Sequence, residues 1–170
     1  MSFSELAQNR YSVRKFSEQA VEEEKLQKII AAACAAPTAV NYQPWHVWVF
    51  TGGSLEKIRE IAGIRFVTPV VMIVGADTEN AWVREYDQHN FAEVDASIVA
   101  THIMLEVHDE GLGTVWVGHF NAPKLKEYFP EMAKYELVAL FPIGYPAEDA
   151  LPSPRHSETK PTNALITEYK

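Results

Sequence analysis

The stretch FAEVDASIVATHIMLEVHDEGLGTVWVGH, residues 91–119, decides the fold. Over residues 91–110 the apolar side chains recur at helical spacing on more than one face: Val94, Ile98 and Leu105 on one side, Val99, Ile103 and Val107 on another. A helix with that pattern is buried through its middle, so this segment is expected to be the central core helix. Gly111-Leu112-Gly113 ends it, and Thr114 to Val117 reads as a strand. Two glycines of a dinucleotide fingerprint stand here in the order helix then strand. The fingerprint needs a strand-to-helix turn to aim a helix dipole at phosphate, so a Rossmann reading is excluded.

Toward the N-terminus, Val70 to Val74 and Trp45 to Phe50 are short apolar runs that read as buried strands, the second followed by the turn Thr51-Gly52-Gly53. Between them Ser54 is expected to cap a short helix carrying Leu55, Ile58 and Ile61, with Gly63 as its left-handed end. Glu22, Glu23 and Glu24 suit the positive end of an earlier helix, in which Leu26, Ile29, Ile30, Ala33 and Cys34 recur until Pro37. Residues 77–89 mix Trp82 and Tyr86 with charges and have no clean period; a loop with a helical turn is expected there, in a position open to a lid role. Pro123 to Tyr128 reads as a short helix and Leu137 to Tyr145 as the last strand. Past Pro146 the chain is rich in proline and polar residues until Leu165 and Ile166. Fixing each backbone residue costs about 1–2 kcal/mol, which so few apolar side chains offset poorly in a monomer. Residues 1–146 are therefore expected to form the domain and 147–170 an arm that wraps a partner subunit.

The composition bounds what this domain does. At 170 residues it can bury roughly 70% of the surface of its unfolded chain, enough for a core without disulfides, and it has a single cysteine. The net charge of −8 argues against nucleic-acid binding, which draws its affinity from basic side chains, and against an anionic membrane surface. No window offers the roughly 20 predominantly apolar residues of a membrane span. The first residues have no signal-peptide core, since charges begin at Glu5 and Arg10. A soluble, cytoplasmic protein is expected.

Most catalytic signatures are absent: there is no Gly-Lys-Ser/Thr phosphate loop, no His-Glu-x-x-His and no paired-cysteine motif. His102 and His108 stand six apart on a helix and face different ways, so no metal is expected. Cys34 lies on an alanine-rich helix face with no basic neighbour, the setting of an inert thiol. By contrast Arg10-Tyr11-Ser12-Val13-Arg14-Lys15 concentrates cations around a hydroxyl. That segment is either a solvated basic patch or a phosphate-monoester site. Pro37-Thr38-Ala39-Val40-Asn41-Tyr42-Gln43-Pro44-Trp45 sets small residues and two side-chain amides in a proline-bounded loop, suited to covering a flat, amide-bearing ring. Trp45 and Trp48 read as core aromatics.

Four motifs in this order resemble the nitroreductase family of FMN-dependent oxidoreductases over nearly the whole chain. They are Arg10-x-Ser12-x-Arg14-Lys15-Phe16, Ala36-Pro37-Thr38-x-x-Asn41-x-Gln43-Pro44-Trp45, Gly111-Leu112-Gly113-Thr114-x-Trp116-Val117-Gly118, and Gly144-Tyr145-Pro146 with Pro154-Arg155. The resemblance implies an α+β three-layer sandwich, with a central mixed β-sheet flanked by helices, that forms an intertwined homodimer holding FMN at the interface. It implies that Arg10, Ser12 and Arg155 hold the FMN phosphate or ribityl chain. Arg14 would lie near the pyrimidine edge, where a cation favours the charge developing on N1 and O2. Pro37, Thr38, Ala39, Asn41 and Gln43 would come from the other subunit. Trp116, Val117, Gly118 and His119 would run past the ring, bringing a backbone N–H near N5.

Three positions depart from the family pattern. Tyr11 replaces a common Arg or His, leaving backbone contacts available. His119 follows Gly118 where many short relatives have a small residue, and reads either as a donor near the ring or as a surface imidazole. Residues 63–68 offer only Arg65 toward a nicotinamide nucleotide. The implied activity is ping-pong transfer of hydride from NADH or NADPH to a nitroaromatic, a quinone or a similar flat acceptor, with no protein nucleophile. Flavin storage, redox sensing, dehalogenation, flavin reduction and dehydrogenation are the alternatives.

Overall fold

The computed structural model describes residues 2–169. Helix α1 (Phe3–Asn9) leads into an extended segment over 10–17; α2 (Glu23–Ala35), β1 (Trp45–Thr51), α3 (Ser54–Ala62) and β2 (Val70–Asp77) follow. Then come a hairpin of β3 (Val83–Arg84) and β4 (His89–Asn90), α4 (Ala92–Asp109), β5 (Gly113–Thr114), α5 (Ala122–Tyr128) and β6 (Tyr135–Gly144). The main sheet has the order β1-β2-β6-β5 with antiparallel pairing throughout, and its parallel component is the bridge from Ser12 to Thr114.

The sheet is the middle of three layers. Strand β2 is buried at every position, so it reads as a continuous apolar run and serves two cores by alternation. Val70, Met72, Val74 and Ala76 face α2 and α4, while Val71 and Ile73 face α3 and α5. Strand β6 does the same with Phe141 and Ile143 on the first side and Leu140 on the second. A register shift opposite Val74/Gly75 skips Val138, and this sends Leu137 to the second core although Ala139 belongs to the first. Each fully buried Ile, Leu or Phe in these layers contributes about 1.5–3 kcal/mol.

Helix α4 is the core helix, and Ala96, Val99, Ala100, Ile103 and Val107 make its buried stripe. The Val94, Ile98 and Leu105 side is only partly covered, with Val94 40% exposed. Several local expectations change. Strand β1 is a half-buried edge, because nothing pairs with its outer side among the described residues. The strand expected over 114–117 is two residues long, after which Val117 and Leu140 exchange two backbone bonds of 3.0 Å. Residues 77–89 contain most of a hairpin, its tip a single turn closed by Gln88 N–H to Arg84 O at 2.9 Å and its root fastened by Phe91 N–H to Trp82 O at 3.0 Å. Helix α3 is capped by Gly53; Ser54 is its first residue and donates its hydroxyl to Thr51 O at 2.8 Å. Gly63 does take the left-handed end, at φ 69°. Cys34 is exposed, since it sits at the rim of the α2 stripe, next to the open β1 edge. No helix among the described residues is long and apolar enough to cross a membrane.

Candidate functional site

Two groups of the residues singled out above lie at opposite ends of α4. At its C-terminal end Gly111 takes φ 73°, a conformation that glycine adopts without steric penalty, and Leu112 N–H closes the cap on Val107 O at 2.9 Å. The chain then enters β5, and residues 12–13 lie alongside it: Val13 N–H donates to Thr114 O at 2.9 Å. Gly113 permits that approach, because a Cβ there would stand 2.6 Å from Val13 Cγ2. Segment 10–17 is also stitched to the chain beyond β6. Ser17 N–H donates to Tyr145 O at 2.8 Å, Ala147 N–H donates to Lys15 O at 3.1 Å, and Lys15 pairs with Asp149.

This stitching brings the two ends of the chain together around a cavity of about 210 Å³ lined by Ser12, Arg14, Ser153, Arg155 and His156. Tyr11 meets His156 edge-on, with ring centroids 6.5 Å apart, and its hydroxyl donates to Ala150 O at 3.4 Å. Arg14 Nη1 donates to Ser12 O at 3.2 Å. None of Arg10, Arg14 and Arg155 has a carboxylate partner among the described residues. Arg10 is not among the cavity's lining residues; in a chain with an excess of acidic groups, the guanidinium groups of Arg14 and Arg155, left without ionic partners beside two hydroxyls, offer an anion the donors it needs. Arg10 ends α1 and its charge reaches His108, whose imidazole burial, and secondarily Arg10, hold below the usual histidine range. Ser153 and His156 were not singled out from the sequence. Ser153-Pro154 is the available signal for the first: its hydroxyl caps a 3₁₀ turn by accepting from Arg155 N–H at 3.3 Å.

At the N-terminal end of α4 stands the 37–43 loop. Val40, Asn41 and Gln43 adopt φ of 45°, 57° and 52°, left-handed conformations that cost about 1–3 kcal/mol each and are rare for a β-branched residue. The loop is held by Gln43 N–H to Thr38 Oγ1 and Asn41 N–H to Thr38 O, each 3.0 Å, and by Ala39 N–H to Asp95 Oδ1 at 2.9 Å. Gln43 Nε2 donates to Asn41 Oδ1 at 3.0 Å. Pro37, Asn41 and Gln43 are exposed; Thr38 and Ala39 are half-buried.

By its rise per residue, α4 puts about 20 Å between Asp95 and its C-terminal end. One chain therefore does not bring the 37–43 loop to the Ser12–Arg155 cavity. Trp116 packs edge-on against Phe141 with centroids 5.4 Å apart, Val117 is tied to β6, and Gly118 and His119 are exposed beyond it. Arg65 is exposed after α3. Trp45 and Trp48 pack on the two cores, as expected.

The fold is shared with known proteins. The model of the Nitroreductase family matches residues 7–68 and 64–145. A protein of Methanothermobacter thermautotrophicus named as an NADH dehydrogenase/NAD(P)H nitroreductase is 32% identical over 162 residues, covering 88% of this chain and 80% of its own. Iodotyrosine deiodinase 1 of Mus musculus is 28% identical over 185 residues, covering 87% of this chain; the chain spans 63% of that protein. The crystal structure of a nitroreductase family protein from Clostridium difficile 630 superposes with a TM-score of 0.90 at 30% identity, covering 100% of this chain and 99% of the other.

Proposed function

The chain belongs to the nitroreductase family, an FMN-dependent oxidoreductase group, and from that premise we propose that it transfers hydride from NADH or NADPH to a flat electron acceptor such as a nitroaromatic or a quinone. The observation that carries this reading is the cavity at the C-terminal end of α4, where two arginines without ionic partners face two serine hydroxyls. That donor set fits the phosphate and ribityl chain of FMN. Bound FMN supplies the hydride chemistry, so the protein needs no nucleophile.

The chain's own residues bind and orient. Ser12, Arg10 and Arg155 hold the phosphate end through charge-assisted hydrogen bonds, and Tyr11 lends its backbone. Arg14 offers a fixed cation toward the ring, favouring the reduced charge. Trp116, Val117 and Gly118 carry main chain past the ring edge, and the exposed His119 stands at its rim. Pro37, Thr38, Ala39, Asn41 and Gln43 cover the ring of the neighbouring subunit.

That last role requires a second copy, and three features favour one. The outer edge of β1 is unpaired among the described residues, beside a groove of about 240 Å³ that includes Ile30, Cys34, Val47 and Val49. Residues 151–169 have no strand or α-helix and expose Leu151, Leu165, Ile166 and Tyr169, the composition of an arm that seats on such an edge. A shallow concavity on α4 is lined by Val94, Ser97, Ile98, Thr101 and His102. Two copies packed antiparallel along this face bring the 37–43 loop of one to the cavity of the other. A halogenated aromatic is the second acceptor class to test, favoured by the likeness to iodotyrosine deiodinase.

The test is the visible spectrum of the purified protein, followed by NADH or NADPH without oxygen. Flavin bands that bleach on addition are expected, with recovery on adding a nitroaromatic, a quinone or a halophenol. A colourless protein that takes up no added FMN overturns the reading.

A further inference from the structure

Asp95 is 1% exposed and lies on the buried stripe of α4, at the helical spacing that also places Ala92, Ala96 and Val99 there. A carboxylate in such surroundings is costly unless its oxygens are engaged. Oδ1 accepts from Ala39 N–H at 2.9 Å, and Oδ2 is buried with no partner among the described residues. Interaction with the helix dipole does not account for the burial, since Glu93 in the same turn serves it from solvent. What Asp95 engages is the amide immediately before Val40, the first of the three left-handed residues. Fixing the Ala39 N–H fixes the Thr38–Ala39 peptide plane, one residue ahead of that strained path. Its N–H makes the ordinary first backbone bond of α4, to Phe91 O at 2.9 Å, so the side chain alone distinguishes this position.

We propose that Asp95 is a positioning residue of the active site: through Ala39 N–H it holds the 37–43 loop in the left-handed form that presents Asn41 and Gln43. The role toward flavin rests on the function proposed above; the anchoring of the loop does not. An anchor that acts through one accepted hydrogen bond is replaceable by any group of the same shape that still accepts. An apolar group of that shape fills the stripe but releases the loop.

Three variants test this: Asp95→Asn, Asp95→Leu, and Asp95→Leu with Val40→Gly. Three quantities are read: the melting temperature, amide exchange of Asn41 and Tyr42 in the flavin-free protein, and the dissociation constant for FMN by quenching of flavin fluorescence. Asp95→Leu is expected to melt at or above the wild-type temperature, because a buried polar group with an unpartnered oxygen has been replaced by apolar volume. The same variant should exchange the two loop amides faster and bind FMN about tenfold more weakly, the size of one lost hydrogen bond. Asp95→Asn keeps an accepting oxygen and should stay within about threefold of wild type in both. Val40→Gly makes the left-handed path inexpensive and should recover part of the affinity lost in Asp95→Leu. Unchanged loop exchange and FMN affinity in Asp95→Leu overturns the proposal, as does an Asp95→Asn variant as impaired as Asp95→Leu. A wild-type protein that binds no FMN removes the flavin reading alone, since amide exchange still reports on the anchor.

Discussion

The two ends of α4 solve opposite problems. At the C-terminal end the backbone is relaxed, and backbone bonds from residues 12–17 to β5 and to 145–147 tie distant parts of the chain together. Its side chains are left with unmet charge. At the N-terminal end the loop is bonded mostly to itself, carries three left-handed non-glycine residues and reaches the core through one buried carboxylate. On the function proposed above, the first end is the phosphate site of one chain, and the second is a strained surface offered to a neighbouring copy.

The comparison breaks most sharply at the cavity. Arg14→Ala with Arg155→Ala should weaken FMN binding at least about 100-fold, each charge-assisted bond contributing about 1.5–3 kcal/mol, while the flavin-free protein melts unchanged. A matching fall in the flavin-free melting temperature would make these arginines structural. The next effect separates the copies. Val94→Glu with Ser97→Glu places like charges on the α4 concavity; sedimentation should show monomers, and FMN affinity should fall about tenfold although the cavity is intact. Monomers that hold FMN at full strength would show that one chain suffices.

A smaller effect sharpens the contrast from within. Gly113→Ala drives a methyl against Val13, and should cost about 1–3 kcal/mol, or some 2–4 °C in melting temperature per kcal/mol. It should loosen segment 10–15 in amide exchange and leave residues 39–42 as protected as before. The smallest effect concerns pH. The imidazole of His108 is depressed in the folded protein by burial and then by Arg10, so the unfolded chain binds its proton more readily. Stability therefore rises with pH through the ordinary histidine range, about 6.5, and is lost as pH falls below it. Urea midpoints at pH 5 and pH 8 should differ less in His108→Gln than in wild type.

The features legible in the sequence were those written in a single local code. The apolar run of α4, the Gly63 cap and the proline-rich arm are local patterns; the structure keeps the cap and the Val99, Ile103 and Val107 face of α4, while the Val94, Ile98 and Leu105 face is only partly covered. The phosphate-type cluster was visible because cations around Ser12 are conspicuous in an acidic chain, yet Ser153 and His156 join it only through a long-range closure that no local pattern encodes. Helix α1 went unread because it buries no residue; its signal was the capping box of Ser2 and Glu5. The β3–β4 hairpin is too short to set a period. The half-buried status of β1 depends on what pairs with its outer edge, a property of assembly. Asp95 is a polar residue in an apolar run, and its offset of four from Val99 places it on the buried stripe.

The cavity at the C-terminal end of α4 is closed by Ser12 and Arg14 near one terminus and by Ser153 and Arg155 near the other. During synthesis the helices and the sheet can form before the last of these residues leaves the ribosome, but the cavity cannot. On the function proposed above, cofactor capture is thus a late event of synthesis, and termination before Ser153 removes more than half of the cavity lining from a chain that already carries every strand and α-helix.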